Sequence, residues 1–114
     1  MITRKDFSPT GHRIVENNGL IFVSGATAND RSADMTGQTA QILEKLTGYL
    51  ENAGTDRSKV LFANVYLTDM SRKPQMDVAW SAYFPAEQLP ARATVGVADL
   101  GKDCLVEISF IATR

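Results

Sequence analysis

Side chains between residues 90 and 112 alternate between polar and apolar, and this alternation restricts the folds open to the chain. Two extended runs flank a short stretch that contains a glycine. In a strand, successive side chains point to opposite faces, so every second residue shares a face. The pattern predicts two strands, which we interpret as a hairpin. Its turn would lie near Leu100 and Gly101, and its apolar side chains, Val95 among them, would face the core.

The polar face of this predicted hairpin carries a cluster of groups with useful chemistry. Arg92 and Thr94 share a face in the first run. Glu107 and Ser109 share a face in the second run. A hairpin would place Thr94 opposite Glu107 and Arg92 one diagonal step away, about 7–8 Å, within reach of its side chain. This cluster indicates a site for a small molecule that bears a carboxylate. The alternative is an exposed Arg–Glu pair that stabilises the fold by ~0–1 kcal/mol and has no function.

Two stretches with helical periodicity lie earlier in the chain. Residues 36–53 and 72–84 place apolar side chains three or four positions apart, which is the spacing of a buried helical stripe. Asp34 or Thr36 can cap the start of the first helix, and Gly54 can end it.

Four further runs are predicted to be strands because they are short, mainly extended in character and bounded by turn residues. They span residues 2–6, 12–16, 20–24 and 59–68. The element order is then β-β-β-α-β-α-β-β, a single α+β domain over residues 1–114 with a mixed six-stranded sheet and both helices on one face. The other face, with Phe62, Tyr66 and Leu105, would stay uncovered. Oligomerisation would bury it, or a curved sheet would shelter a cleft within one chain.

Composition and charge argue against several classes of function. With 12 Lys and Arg against 13 Asp and Glu, the net charge is −1, so the basic surface typical of nucleic-acid or membrane binding is missing. The single histidine, His12, argues against a metal site built on imidazole and against a Ser–His–Asp triad. The single cysteine, Cys104, rules out an intrachain disulfide, and no apolar run approaches the ~20 residues of a membrane helix. We therefore expect a cytoplasmic protein.

Four collinear parts of the chain resemble the RidA/YjgF family of imine and enamine deaminases. The Pro-Ala-Arg element, followed about fifteen residues later by an apolar-Glu-Ile strand, is the most specific part. The resemblance implies a chorismate-mutase-like α+β fold, a homotrimer with its sites at the subunit interfaces, and no cofactor or metal. The matching segments are GLIFVSGA at 19–26, GQTAQILEKLTGYLENAG at 37–54, VLFANVYLTDM at 60–70 with MDVAWSAYF at 76–84, and PARATVGVADLGKDCLVEISFIA at 90–112.

The same resemblance implies hydrolysis of a reactive 2-imino or enamine carboxylic acid, such as 2-aminoacrylate or 2-iminopropanoate, to a 2-keto acid and ammonia. Arg92 would hold the substrate carboxylate in a bidentate fork. Glu107 would position or deprotonate the attacking water. Thr94 would shape the pocket. Gly25 would serve close packing and a turn, or would contribute to substrate binding at a strand end whose backbone N–H groups lie near the substrate.

The chain departs from the pattern of the best-known deaminases at three positions. Gly11, Asp77 and Thr94 stand where those proteins carry a tyrosine, an asparagine and a cysteine. A non-catalytic trimer that binds small carboxylates or regulates a partner is therefore an open alternative. Endoribonuclease or translation-inhibitor activity, named for some relatives, is a third hypothesis, against which the acidic charge balance and the single histidine both argue.

Overall fold

The chain forms six strands and two α-helices in the predicted order, which confirms the α+β class. The computed structural model describes residues 1–114. The helices are α1 (Met35–Asn52) and α2 (Lys73–Tyr83). The strands are β1 (Thr3–Ser8), β2 (Gly11–Asn17), β3 (Leu20–Ala26), β4 (Val60–Leu67), β5 (Ala91–Gly96) and β6 (Val106–Thr113). Neither helix combines the length and the apolar composition needed to span a bilayer.

The limits of α1 follow from local hydrogen bonding. The Asp34 side chain accepts a hydrogen bond of 2.8 Å from the backbone N–H of Gly37, so Asp34 is the N-terminal cap. The Thr36 hydroxyl instead donates to the carbonyl of Gln75, which ties α1 to α2. After α1, Gly54 adopts a positive φ of 80°, a left-handed conformation that ends helices and that glycine adopts at little cost.

The sheet runs in the order β1-β2-β3-β6-β4-β5. Strands β4 and β5 are parallel, and every other neighbouring pair is antiparallel. The predicted hairpin is therefore wrong, because β4 lies between β5 and β6. The reason for this difference is α2. The helix returns the chain from the end of β4 to the edge of the sheet at which β4 begins, so β5 runs beside β4 in the same direction. Residues 97–105 then cross over β4 to reach β6.

The register of β5 decides which face Arg92 occupies. Arg92 pairs with Ala63 and Thr94 pairs with Val65, and both β4 partners are fully buried under the helices. Arg92 and Thr94 consequently lie on the helix-covered face. Val95 is 44% exposed, so the prediction that the apolar residues of this strand face the core is wrong. As an edge strand, β5 needs little apolar cover.

The core lies between the sheet and the two helices. Val106, Ile108 and Phe110 of β6 point into it, as their alternation predicts. Leu105 was predicted on the uncovered face, but it precedes β6 and packs against the core instead. Aromatic rings fill the space under α2, where the Trp80 and Phe84 ring centroids are 4.9 Å apart.

The opposite face of the sheet has no helix over it, as predicted. Leu20 and Phe22 of β3 are 41% and 45% exposed there. Phe22 lies beside Ile111 in the register of the sheet. Phe62 and Tyr66 of β4 are half-buried. We call this surface the open face. It is an apolar surface that a soluble monomer rarely exposes.

Candidate functional site

Arg92 is held in one orientation at the edge of the sheet. Its guanidinium carbon lies 5.0 Å from the centroid of the Trp80 ring, and its Nη1 lies 3.9 Å from the sulfur of Met76. The same Nη1 lies 2.8 Å from Oδ1 of Asp77. The side chain is only 19% exposed. An arginine that buries its stem and rests on an aromatic face keeps its charge available while it loses conformational freedom in advance.

The guanidinium borders a pocket of about 370 Å³, which we call the Arg92 pocket. Its lining contains one cation and one anion, and the remaining residues are aromatic, aliphatic or hydroxyl-bearing. This volume suits a small molecule. Thr94 is two residues further along the same strand and face, but it is not one of the residues that line the pocket. The lining residues are Asp77, Trp80, Ser81, Leu89, Pro90 and Arg92.

Asp77 lies between two cations. Its Oδ2 accepts a hydrogen bond of 3.0 Å from Nζ of Lys73, and its Oδ1 faces Arg92. Burial raises the pKa of Asp77, but the Lys73 hydrogen bond and the Arg92 charge lower it by more, so the pKa lies below its ordinary value of 3.8. Oδ1 is buried, and Nη1 of Arg92 is the cationic atom that lies 2.8 Å from it.

Glu107 lies on the other side of the sheet. It occupies the middle of β6 and pairs in register with Tyr66. Beside it, β3 has an irregular register between Val23 and Ala26, which is a β-bulge that contains Gly25. A Cβ at Gly25 would lie 3.0 Å from the carboxyl carbon of Glu107 and would collide with its Oε2. Only glycine therefore leaves room for the Glu107 carboxylate at this point.

A second pocket, of about 460 Å³, opens beside this bulge. We call it, together with Glu107, the Glu107 cleft. A Cβ at Gly11 would meet nothing within 4 Å. Because Gly11 has no side chain, the space beside it in the cleft is empty. His12 is half-buried and contributes to the lining. The lining includes Thr10, Gly11, His12, Arg13, Ser24 and Gly25.

The predicted site residues thus form two groups instead of one. Arg92 and Thr94 lie together on the helix-covered face, and Glu107 and Gly25 lie together on the open face. The predicted proximity of Arg92 and Glu107 within one chain is wrong, because β4 separates their strands and their side chains leave the sheet in opposite directions. No group of three His, Cys, Asp or Glu side chains that could hold a metal ion is present.

Sequence reasoning missed the role of α2 in this site. Trp80 is a core residue, at 4% exposed. Its ring also supports the guanidinium of Arg92. Asp77 and Trp80 are three residues apart and so lie on one side of α2. Because α2 connects β4 to the parallel strand β5, this spacing was the available signal that both face Arg92.

This architecture places the chain in a known structural class, that of the YjgF proteins. A member of the YjgF protein family from Neisseria meningitidis superposes with a TM-score of 0.95, at 32% identity, over 100% of this chain and 95% of that chain. The sequence model described as endoribonuclease L-PSP matches residues 6–114, and the chain belongs to that family.

Two curated relatives give the same result at the level of sequence. A RutC family protein from Haemophilus ducreyi is 32% identical over 112 residues, which cover 98% of this chain and 96% of the relative. A protein from Acinetobacter baylyi named 3-aminoacrylate deaminase RutC is 32% identical over 101 residues, with 83% of this chain and 79% of the relative covered. The resemblance to the RidA/YjgF family is thereby confirmed.

Proposed function

We propose that this chain hydrolyses reactive 2-imino and enamine carboxylic acids, such as 2-aminoacrylate and 2-iminopropanoate, to 2-keto acids and ammonia. The observation that carries the proposal is Arg92, a guanidinium oriented over Trp80 at a pocket of about 370 Å³. A planar guanidinium binds a carboxylate through two parallel hydrogen bonds. The Acinetobacter relative is named for an enamine acid, which agrees with a carboxylate-bearing substrate of this kind.

The proposed active form is a homotrimer in the cytoplasm, with each site between two subunits. Arg92 and Glu107 lie on opposite faces of one sheet, so a substrate that contacts both needs a second copy of the chain. The exposed Leu20 and Phe22 supply apolar area for such a contact. Burying apolar surface stabilises association by ~25 cal/mol per Å² before the cost of association is subtracted. The Arg92 pocket of one subunit would then meet the Glu107 cleft of another.

The proposed chemistry assigns a role to each predicted residue. Arg92 binds the carboxylate, and Thr94 supports the substrate beside it. Water adds to the iminium form of the substrate: its oxygen bonds to the imine carbon, Glu107 takes one proton of the water, and the C=N electron pair moves to the nitrogen. Glu107 then gives this proton to the nitrogen, the C–N bond breaks as ammonia leaves, and the remaining hydroxyl proton passes to Glu107 as the C=O bond forms. An enamine first takes a proton on carbon to become this iminium. Gly25 gives the Glu107 carboxylate its space.

The first test compares turnover by wild type, Arg92→Ala and Arg72→Ala. Imines are generated in situ by an amino-acid oxidase, and keto-acid or ammonia release is measured. Arg72 is a matched control because it is half-exposed and pairs only with Asp69 on the surface. We expect wild type and Arg72→Ala to accelerate hydrolysis and Arg92→Ala to lose the acceleration. Wild-type rates in Arg92→Ala would refute the carboxylate clamp.

One observation favours the non-catalytic alternative as the second candidate. The guanidinium of Arg92 is already paired with Asp77, which suits a binding site more readily than a demanding catalyst. Lack of acceleration with every imine tested, small or aromatic, would favour this binding role. Nuclease activity that persists through purification and disappears in Arg92→Ala would instead support the name that the family carries.

A further inference from the structure

We propose that Asp77 selects substrates by charge, so that the Arg92 pocket favours imino acids with a cationic nitrogen in addition to the carboxylate. This inference rests on the proposed function and names the substrate class of the same site. It also predicts discrimination against imino acids that carry a second carboxylate. Asp77 is in this view a specificity-determining residue, while Arg92 remains the group that binds the common carboxylate.

The first support is the way in which Asp77 is held. Its Oδ1 is buried and faces one cation, Nη1 of Arg92, at 2.8 Å, while its Oδ2 accepts a hydrogen bond from Lys73. A substrate carboxylate that binds Arg92 competes with Asp77 for the same guanidinium. The negative charge of Asp77 is then less well offset, and a cationic group on the same ligand would restore the balance.

The second support is the short distance between the two charges. Nη1 of Arg92 is 2.8 Å from Oδ1 of Asp77. A carboxylate hydrogen-bonded to the guanidinium therefore lies within about 6 Å of Oδ1, which is two hydrogen-bond lengths. Asp77 is ionised near neutral pH, since its neighbours hold its pKa below 3.8. Every carboxylate substrate then meets a negative charge that a cationic group on the same substrate would offset.

The third support is the composition of the pocket wall. Apart from Arg92 and Asp77, its lining contains no charged residue. A ligand that carries both a carboxylate and a cationic group complements these two charges, since the carboxylate faces Arg92 and the cationic group faces Asp77. A ligand that brings two carboxylates places one of them beside Asp77, whose charge Lys73 offsets only in part because that ion pair is partly exposed. Such a mismatch is a stronger source of selectivity than an added attraction.

The test measures kcat/KM of wild type, Asp77→Asn and Glu87→Gln on three imines formed in situ by an oxidase. The amino-acid precursors are arginine, leucine and glutamate, which give cationic, neutral and anionic side chains. Asp77→Asn keeps the shape of the side chain and removes its charge. Glu87→Gln is a matched control, because it removes the same charge from an exposed residue on the loop that leads to Leu89 and Pro90.

We expect wild type and Glu87→Gln to prefer the arginine-derived imine over the glutamate-derived imine. In Asp77→Asn, this ratio should fall by about tenfold or more, mainly because the anionic substrate improves. An equal change for all three substrates would overturn the proposal, since Asp77 would then act on the part that they share. A wild-type preference for the anionic imine would overturn it as well.

Binding is measured in parallel, so that failure of the deaminase proposal is a separate result. Calorimetry compares 5-guanidino-2-oxopentanoate with 2-oxoglutarate on the same three proteins. If no imine is turned over but wild type binds the cationic keto acid more tightly and Asp77→Asn does not, the proposed function fails and the charge selection stands. If turnover is present but neither measurement depends on Asp77, the charge selection fails alone. If neither turnover nor binding is observed, both fail.

Discussion

Single residues in this protein owe their importance to neighbours that are distant in sequence. Arg92 depends on Trp80 for its orientation, and the Glu107 carboxylate depends on the absence of a side chain at Gly25. None of these pairs is adjacent on one element. The polar groups of the two pockets are therefore placed by packing contacts between elements, and small changes of volume at these contacts should change activity more than stability.

Gly25 offers a test of that statement at the scale of one methyl group. A Cβ at Gly25 would collide with the Glu107 carboxylate, so Gly25→Ala must displace it. We expect kcat/KM to fall by about 10- to 100-fold while the protein remains folded. Gly48→Ala is the matched control, because a Cβ there would meet nothing within 4 Å in the exposed middle of α1. It should leave activity unchanged and raise the free energy of unfolding by about 0.5–1 kcal/mol. Unchanged kinetics in Gly25→Ala would refute the role of this space.

At the scale of elements, the alternation of polar and apolar residues reliably predicts which side chains lie on the same face of a strand. It is less reliable in predicting whether that face is buried or exposed. The helices and strands were predictable because their apolar periods differ. The buried side of β6 was also predictable, since both of its edges are paired and one side must face the core. The face of β5 was not predictable from its own residues, because pairing with β4 depends on the route of α2. A shift of one residue exchanges the two faces of a strand.

A buried side chain of α1 joins the loop that precedes α1 to the loop that precedes β6. The Gln38 amide is fully buried. Its Nε2 shares its two hydrogens among the carbonyls of Arg31, Ala33 and Asp103, and its Oε1 accepts from the N–H of Leu105. Gln38→Leu would leave these backbone groups without partners, so we expect the free energy of unfolding to fall by about 2–4 kcal/mol. Urea denaturation at an unchanged slope measures this. Gln41→Leu, whose bonds to Asp30 are exposed, should cost clearly less. Equal losses in the two variants would contradict this role of burial.

The end of β6 is held to β2 by an ion pair whose effect should depend on pH. Arg114 donates bonds of 2.7 and 2.6 Å to the two oxygens of Glu16. The hydrogen bond from Arg114 lowers the pKa of Glu16 below its ordinary value of 4.5. The folded state therefore holds the proton less tightly than the unfolded state does. The stabilisation is present above pH 4.5 and is lost as the pH falls through the lower, folded pKa.

Melting temperatures of wild type and Glu16→Gln measure this dependence. We expect wild type to melt at the higher temperature at neutral pH, and we expect the difference to shrink as the pH falls below 4.5. High salt should also reduce it, because the arginine is half-exposed. A difference that is constant from neutral pH into acid would rule out the ion pair as its source.

At the scale of the whole molecule, the two faces of the sheet differ in how they are covered. One face is covered by α1 and α2, and the open face exposes Leu20 and Phe22. The strand order was beyond sequence reasoning because it rests on contacts between residues far apart in the chain. The existence of an uncovered face could be predicted from the sequence, since two helices can cover only one side of six strands.

Assembly through the open face is tested with Phe22→Glu. Placing a charge on this surface should dissociate the proposed trimer into the 12.5 kDa chain and remove deaminase activity with it. Light scattering after size-exclusion chromatography measures the mass. Val78→Glu is the matched control, because Val78 is 63% exposed on α2, on the covered side of the sheet. A Phe22→Glu protein that keeps the wild-type mass would show that the open face does not hold the subunits together.

The position of β6 has a consequence for how the protein is made. This strand follows every other element in the chain, yet it lies inside the sheet between β3 and β4. Because ribosomes synthesise proteins from the N-terminus, β3 and β4 emerge before the strand that joins them exists. Until then, each presents an unpaired inner edge that can bind a wrong strand. Newly made chains should therefore need protection from one another until β6 has been synthesised, and truncation within β6 should yield aggregates in place of a smaller folded protein.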